Sequence, residues 1–334
     1  MEKFEIPIVL FVFKRSDTVV KIIDRLSTIK PRKIYILSDG GRTLDEKKLV
    51  SECRQTIENA IDWDCEVVKK YEENNIGVYA NIALGARWVF SKEDVAIFLE
   101  DDNLPEITFF KFCSEILDKY HDDERVLWVC GTNYLKEYFP ENGASYIFTK
   151  NMMPCGWASW GGKFLKYYDG ELLLWKDREI RKSLKKKYFY KPLYYQDRYN
   201  IEYELDAFEK NKKFFSWDYQ MSFSMRVHDV YAIVPQFNQI ENIGVDVYST
   251  HGGNSYVDVM VQRFCGLKTK PMNFPLIHPK NIEIDEFFEK SVAKIILHPE
   301  FFSIRSIVSR IIRRLFSINK TDGVKSFFIK NFLK

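Results

Sequence analysis

Short apolar runs alternate with amphipathic stretches from the start of the chain, the pattern of a sheet whose strands are joined by helices. The run Ile6 to Phe13 predicts a buried first strand, and Ser16 is placed to cap a helix carrying Val19, Val20, Ile23 and Leu26 on one face. Lys33 to Leu37 predicts the second strand, closed by Ser38-Asp39-Gly40-Gly41, and a helix over 44–60 leads to a third strand around Cys65 to Val68. After Asn74-Asn75-Ile76-Gly77, a helix through Ala83 and Trp88 to about Phe90 precedes a strand at Val95 to Leu99 that ends in Glu100-Asp101-Asp102. Pro105 fits the first turn of a helix over 106–120, and Val126 to Cys130 predicts one more strand. The expected class is α/β, with a Rossmann-like, mostly parallel central sheet flanked by helices.

Beyond about residue 150 the alternation fades and aromatic residues become dense, from Trp157 and Trp160 to Phe214, Phe215 and Trp217. A helical pattern returns at 302–316, with Ile304, Ile307, Val308, Ile311, Ile312, Leu315 and Phe316 on one side and Arg and Ser on the other; a shorter amphipathic run follows Gly323. The expected organisation is one catalytic unit, 1–300, with a nucleotide-binding half (1–150) and an acceptor-binding half (151–300), followed by a basic tail, 301–334.

Charge sharpens that division. The 334-residue chain carries a net +3, but residues 301–334 hold eight Lys and Arg against Asp322, so the tail is +7 and the remainder 3 − 7 = −4. An acidic body offers no footprint for nucleic acid, whereas a basic amphipathic tail suits an anionic membrane surface. Arg and Lys without balancing acids favour that reading over a helix docked on the body. Lys185-Lys186-Lys187 reads as a solvated helix face. No segment reaches the roughly 18 to 20 apolar residues of a spanning helix. The six scattered cysteines, without a CxxC pair, predict reduced thiols. The expected location is cytoplasmic, peripheral at the inner face of the membrane.

Open parallel sheets bind ligands beyond the carboxyl ends of their strands. Three strand ends carry chemistry: Lys14-Arg15, Asp39-Gly40-Gly41-Arg42 and Glu100-Asp101-Asp102. Acids on a rigid strand end can hold a hard divalent cation, and Mg²⁺ or Mn²⁺ held by one or two carboxylates completes its shell with phosphate oxygens. An exposed acidic turn is the plain alternative. A nucleoside diphosphate is the partner such a site would take.

The ordered segments PIVLFVFKR, ILSDGGR, NNIGVYANIALGARWVF, AIFLEDDNLPEITFFKFCSEILDKYHDDERV, GWASWGG, SWDYQ and IENIGVDVYSTH resemble bacterial nucleotide-sugar glycosyltransferases of the GT-A fold. Within that group the acidic loop is of the E-D-D type seen in N-acetylglucosaminyltransferase I-like enzymes. The resemblance runs from about residue 5 to 290 and leaves the tail outside.

It implies that Arg15 and Arg42 reach the nucleotide or its phosphates, that Asp39 contacts the base or ribose, and that Glu100 and Asp101 line the nucleotide-sugar site with Asp101 near the ribose. Asp102 is then the direct metal ligand, with His251 either completing the shell, which would favour Mn²⁺ over Mg²⁺, or contacting the diphosphate. Gly156-Trp157 corresponds to the loop over the donor sugar, and Asp218 to the base that deprotonates the acceptor hydroxyl in an inverting transfer. Its aromatic neighbours predict a poorly hydrated site. Bland readings stand beside these: Asp39 as a turn former, Trp157 as core, Asp218 as a helix cap, His251 as a surface residue. Glu204, Asp206 and Glu241 are reserve acids. The expected activity is transfer from a UDP-sugar to a hydroxyl of a glycan or lipid-linked glycan in surface polysaccharide assembly. The alternatives are a sugar-nucleotide nucleotidyltransferase, or a non-catalytic glycan- or membrane-binding subunit.

Overall fold

A computed structural model of the chain describes residues 3–245 and 259–332. Strands β1 (Ile8–Val12), β2 (Lys33–Ser38), β3 (Glu66–Tyr71) and β4 (Val95–Glu100) alternate with helices α1 (Ser16–Ile29), α2 (Leu44–Ala60) and α3 (Gly85–Phe90), the last entered through a π-helical turn at Ala80–Leu84. Then come β5 (Asn103–Pro105), α4 (Thr108–Lys119), β6 (Val126–Cys130), β7 (Tyr146–Thr149), β8 (Trp157–Trp160) and α5 (Gly161–Tyr167). Helices α6 (Arg178–Leu184), α7 (Lys191–Asn211) and α8 (Asp218–His228) precede β9 (Tyr231–Pro235) and β10 (Ile240–Asn242). Beyond residue 258 lie α9 (Val259–Phe264), α10 (Glu286–Ile296), α11 (Ile304–Leu315) and α12 (Val324–Phe332).

The main sheet has the order β3-β2-β1-β4-β8-β6-β9-β7. β3 to β4 are parallel, as are β6 and β9; β8 runs antiparallel to both its neighbours and β7 antiparallel to β9. The architecture is therefore α/β, a mostly parallel sheet flanked by helices. All five residues of β1 are buried, as a strand covered on both faces requires. Its alternate side chains enter different layers. Ile8, Leu10 and Val12 pack with α1, α2 and α4, while Val9 and Phe11 pack with α3, α5 and α8.

Three local expectations shift. Ser16 opens α1 instead of capping it, and the cap position belongs to Arg15, whose side chain is engaged elsewhere. Pro105 ends β5, because 103–105 pair with 240–242, a distant partner that local signals do not show; α4 starts only at Thr108. The second half is also more regular than its composition suggests, since β7, β8 and β9 join the same sheet. Four-residue aromatic strands are too short to display a period of two. Most of the dense aromatics of 172–223 form a separate cluster around Trp175, Tyr188, Tyr194, Phe214 and Phe223, while Trp217 joins the sheet core.

Lys163 on α5 is almost fully buried, and its ammonium donates to the carbonyls of Tyr120 (2.6 Å), Asp123 (2.8 Å) and Val126 (3.1 Å) over the Trp160 ring. Burial pushes its pKa down to about 8, so it remains mainly protonated at neutral pH. It ties the end of α4 to the start of β6. Lys163→Met should therefore destabilise the fold by about 2–3 kcal/mol, the net value of charge-assisted hydrogen bonds lost from a buried site. A urea denaturation midpoint unchanged from the parent would contradict this.

The tail lies along α7. At one end Phe301 and Phe302 meet the rings of Tyr199 and Tyr195, 6.2 and 6.5 Å between centroids. At the other, Asp206 accepts from the backbone N–H and Nζ of Lys320 (3.1 and 3.4 Å), and Lys210 pairs with Asp322. Asp206, a reserve acid in the sequence reading, is thus a docking residue, and Glu241 is occupied by Lys268 at 2.5 Å. Among the described residues no helix is long and apolar enough to cross a membrane, and all six cysteines are free thiols.

Candidate nucleotide-diphosphate site

The order β3-β2-β1-β4 means that the chain leaves β1 in one direction and returns to its other side at β4. Ligand crevices of open α/β sheets form at such a reversal, outside the carboxyl ends of the two strands. Here those ends carry Phe13-Lys14-Arg15 and Glu100-Asp101-Asp102. The switch point and the acidic motif therefore coincide.

The two strand ends are bonded directly. Asp101 Oδ2 accepts the Phe13 backbone N–H at 2.9 Å, and Arg15 Nη1 donates to Asp102 Oδ2 at 2.8 Å and, at 3.5 Å, to Asp101 Oδ1. Asp102 Oδ1 accepts from Asn103 Nδ2 at 2.6 Å. Asn103, fully buried, uses its carbonyl for the N–H groups of Gly156 (2.7 Å) and Glu100 (3.3 Å), so one side chain fixes the turn, Asp102 and the start of β8 together. The β5–β10 pair brings 242–244 over this turn. Ile243 N–H donates to the Asp102 carbonyl at 2.9 Å, and a Cβ on Gly244 would lie 2.2 Å from Asp102 Oδ2 and 2.9 Å from Arg15 Nη1. Only a glycine lets the backbone pass that close to the carboxylate.

Electrostatically the turn is under-compensated. Burial raises the pKa of all three acids: Glu100 well above its usual range, Asp101 to about 7 and Asp102 upward, with neighbouring carboxylates adding to the effect on Glu100 and Asp101 and the Arg15 guanidinium opposing it. Asp218, the first residue of α8, adds its charge to the field at Glu100, Asp197 and Glu204. The Ser216 hydroxyl donates to Asp218 Oδ1, and the loop that presents both is held by buried Glu204, which accepts the N–H groups of Phe215 (2.8 Å) and Ser216 (3.2 Å). Glu204, a reserve acid in the sequence reading, is thus engaged in holding this loop.

The other sequence-predicted residues have different surroundings. Asp39 spends both oxygens on the adjoining turn, accepting from Gly40 N–H and Ile76 N–H (2.8 Å each), Asn75 Nδ2 (2.8 Å) and Gly77 N–H (3.0 Å). With both oxygens so engaged, it acts as the turn former. Arg42 lies at the rim, bound to Glu46 at 2.8 Å through Nε, with Lys14 on the same carboxylate at 2.8 Å. Arg42 first, and Lys14 after it, hold the Glu46 carboxyl well below the usual range.

Trp157 is corrected from sugar platform to core. One face stacks on Phe98 (3.9 Å between centroids) and the other on Trp128 (4.0 Å), leaving none for a sugar. Gly156 lies beneath the acidic turn, in left-handed backbone, where a Cβ would meet Ile240 at 2.5 Å. His251 lies outside the described residues. Sequence reasoning missed Asn103 and also Arg54, which reaches from α2 to Ser38 Oγ (2.8 Å) and the carbonyls of Ser38, Asp39 and Glu72, lashing the ends of β2 and β3 together. The only trace of Asn103 was its place directly after the acidic triplet.

Among the described residues no three His, Cys, Asp or Glu side chains converge as a ready-made metal cage. An all-oxygen turn with more buried carboxylates than guanidinium still fits a hard cation that completes its shell on phosphate.

No protein-family model matches the chain, and no curated protein matches it in sequence. Among solved structures it is similar to UDP-glucose pyrophosphorylase complexed with UDP-glucose, at 12% identity and a TM-score of 0.36 over 72% of this chain and 94% of that one. The apo form of UDP-glucose pyrophosphorylase gives 9% and 0.35 over 71% and 93%. The 4-diphosphocytidyl-2C-methyl-D-erythritol synthase of Anaerococcus prevotii DSM 20548 gives 9% and 0.31 over 49% and 77%. These likenesses assign no residue and no activity to this chain.

Proposed function

We propose that the protein is a metal-dependent inverting glycosyltransferase that moves a sugar from a nucleoside diphosphate donor, UDP-linked, to a hydroxyl of a glycan acceptor. A lipid-linked acceptor at an anionic membrane, in surface polysaccharide assembly, fits the basic tail. The supporting observation is the acidic turn at the switch point, where Asp101 and Asp102 share Arg15 and Glu100 stands beside them. Asp102 would hold Mn²⁺ or Mg²⁺, with His251 as the second candidate ligand. A bound divalent cation supplies charge neutralisation on the departing diphosphate.

The remaining work falls to side chains of this chain. Arg15 has a guanidinium beside the turn that can pass from carboxylate to phosphate when the donor enters. Asp218 takes the acceptor hydroxyl proton on its carboxylate, held by Ser216 and by the loop that Glu204 fixes. The link from β1 to α1 is only Phe13-Lys14-Arg15, without glycine, which offers little backbone to wrap a triphosphate. This favours transfer to a hydroxyl over the nucleotidyltransferase alternative.

A thermal-shift screen of UDP-, GDP- and dTDP-sugars with and without Mn²⁺ tests the reading. At least one UDP-sugar should raise the melting temperature only when metal is present, and turnover with acceptor should release UDP. Release of pyrophosphate from a nucleoside triphosphate and sugar phosphate would instead establish the nucleotidyltransferase. No stabilisation by any donor would remove the enzyme reading.

A further inference from the structure

Helix α11 is mounted with its apolar side outward. Ile304, Ile307, Val308, Ile311 and Leu315 are all exposed, Ile304 and Leu315 at 82% and 73%, and no residue of the helix is buried. The polar side is the one engaged, by the tail segments that flank the helix. Arg310 stacks on the Phe301 ring at 4.2 Å and donates to the Phe301 carbonyl at 2.7 Å, and Arg313 donates to the Asn319 carbonyl at 2.8 Å. A helix that merely covers a soluble body turns its apolar stripe inward. Here the segments at both ends of α11 are fastened to α7, at Phe301–Phe302 and at Lys320–Asp322, and the stripe is presented to the outside.

We infer that α11 is a preset foot that seats on an anionic lipid surface, Ile304, Ile311 and Leu315 entering the headgroup boundary while Arg305 and Arg314 meet lipid phosphates. Charge selects this occupant over a second copy of the chain. The tail carries eight Lys and Arg against one Asp, so self-association would set cation against cation, whereas anionic headgroups complement it. The inference deepens the lipid-linked acceptor part of the proposed function and rests on it only for its purpose, not for its test.

The full chain should co-sediment with vesicles of phosphatidylglycerol and phosphatidylcholine, and not with phosphatidylcholine alone. Ile304→Ser/Ile311→Ser/Leu315→Ser should lower that partition by about 10-fold or more, with the melting temperature and nucleotide-sugar binding unchanged. Arg305→Ser/Arg314→Ser should weaken binding and flatten its salt dependence. Equal partition of the triple variant and the parent would overturn the inference. So would a dimer in sedimentation velocity that the triple variant abolishes. Vesicle binding without any response to nucleotide sugars would leave the foot standing and remove the enzyme reading; the reverse result would do the opposite.

Discussion

Asp218→Asn should lower the rate of sugar transfer by about 10³-fold while donor affinity in Mn²⁺ stays within about two-fold, because a general base contributes on the order of 10²–10⁴. Asparagine keeps the size of the side chain and a carbonyl for the Ser216 hydroxyl, but it has no carboxylate to receive the acceptor proton. Trp217, buried beside Trp128 and Trp157, keeps the start of α8 in place in parent and variant alike. Steady-state transfer at saturating donor, with donor affinity measured separately by calorimetry, checks both halves. A turnover number within tenfold of the parent rules Asp218 out as the base, and loss of donor binding moves it into the donor site.

Asp102→Asn should have effects of opposite sign on binding and on stability. Glu100, Asp101 and Asp102 are held in a poorly solvated turn beside Arg15, and burial raises the pKa of each. Neutralising one acid relieves that repulsion, so the metal-free protein should melt about 2 °C higher or more. Removal of the carboxylate proposed to hold the cation should at the same time weaken Mn²⁺-dependent donor binding about 100-fold. Thermal melts without metal and titrations with it give the two readouts. A lower melting temperature together with unchanged donor affinity would make Asp102 a structural partner of Arg15 and nothing more.

The first half of the fold was readable because β1, β2, β4 and β6 are largely buried and appear as apolar runs, with helices of one apolar stripe between them, whereas the edge strand β3, none of whose residues is buried, showed little more than Val67 and Val68. The boundaries of β6 and α2 follow from those runs alone. The acidic turn was readable for a related reason, since acids directly after a buried strand must sit at its end. What escaped depends on partners far along the chain. Asn103 orders Asp102 and Glu100 together with Gly156, which lies 53 residues further along the chain. Arg54 sits on the polar side of α2, where any Arg looks solvated. Trp157 could be a sugar platform or core until Phe98 and Trp128 were seen on its two faces.

Strand β8 has a consequence for how this protein is made. It lies between β4 and β6, yet the chain supplies it only after both of them, so the sheet stays split until residue 160 has been synthesised. Until then the free edges of β4 and β6 expose Phe98 and Trp128, the two aromatic faces that Trp157 will close. A polypeptide ending near residue 150 would keep a complete acidic motif on an unfinished sheet with sticky edges. The sheet must therefore close across β8 before β9, at Tyr231–Pro235, joins β6 to β7, and the first 150 residues depend on these two later strands to cover their edges.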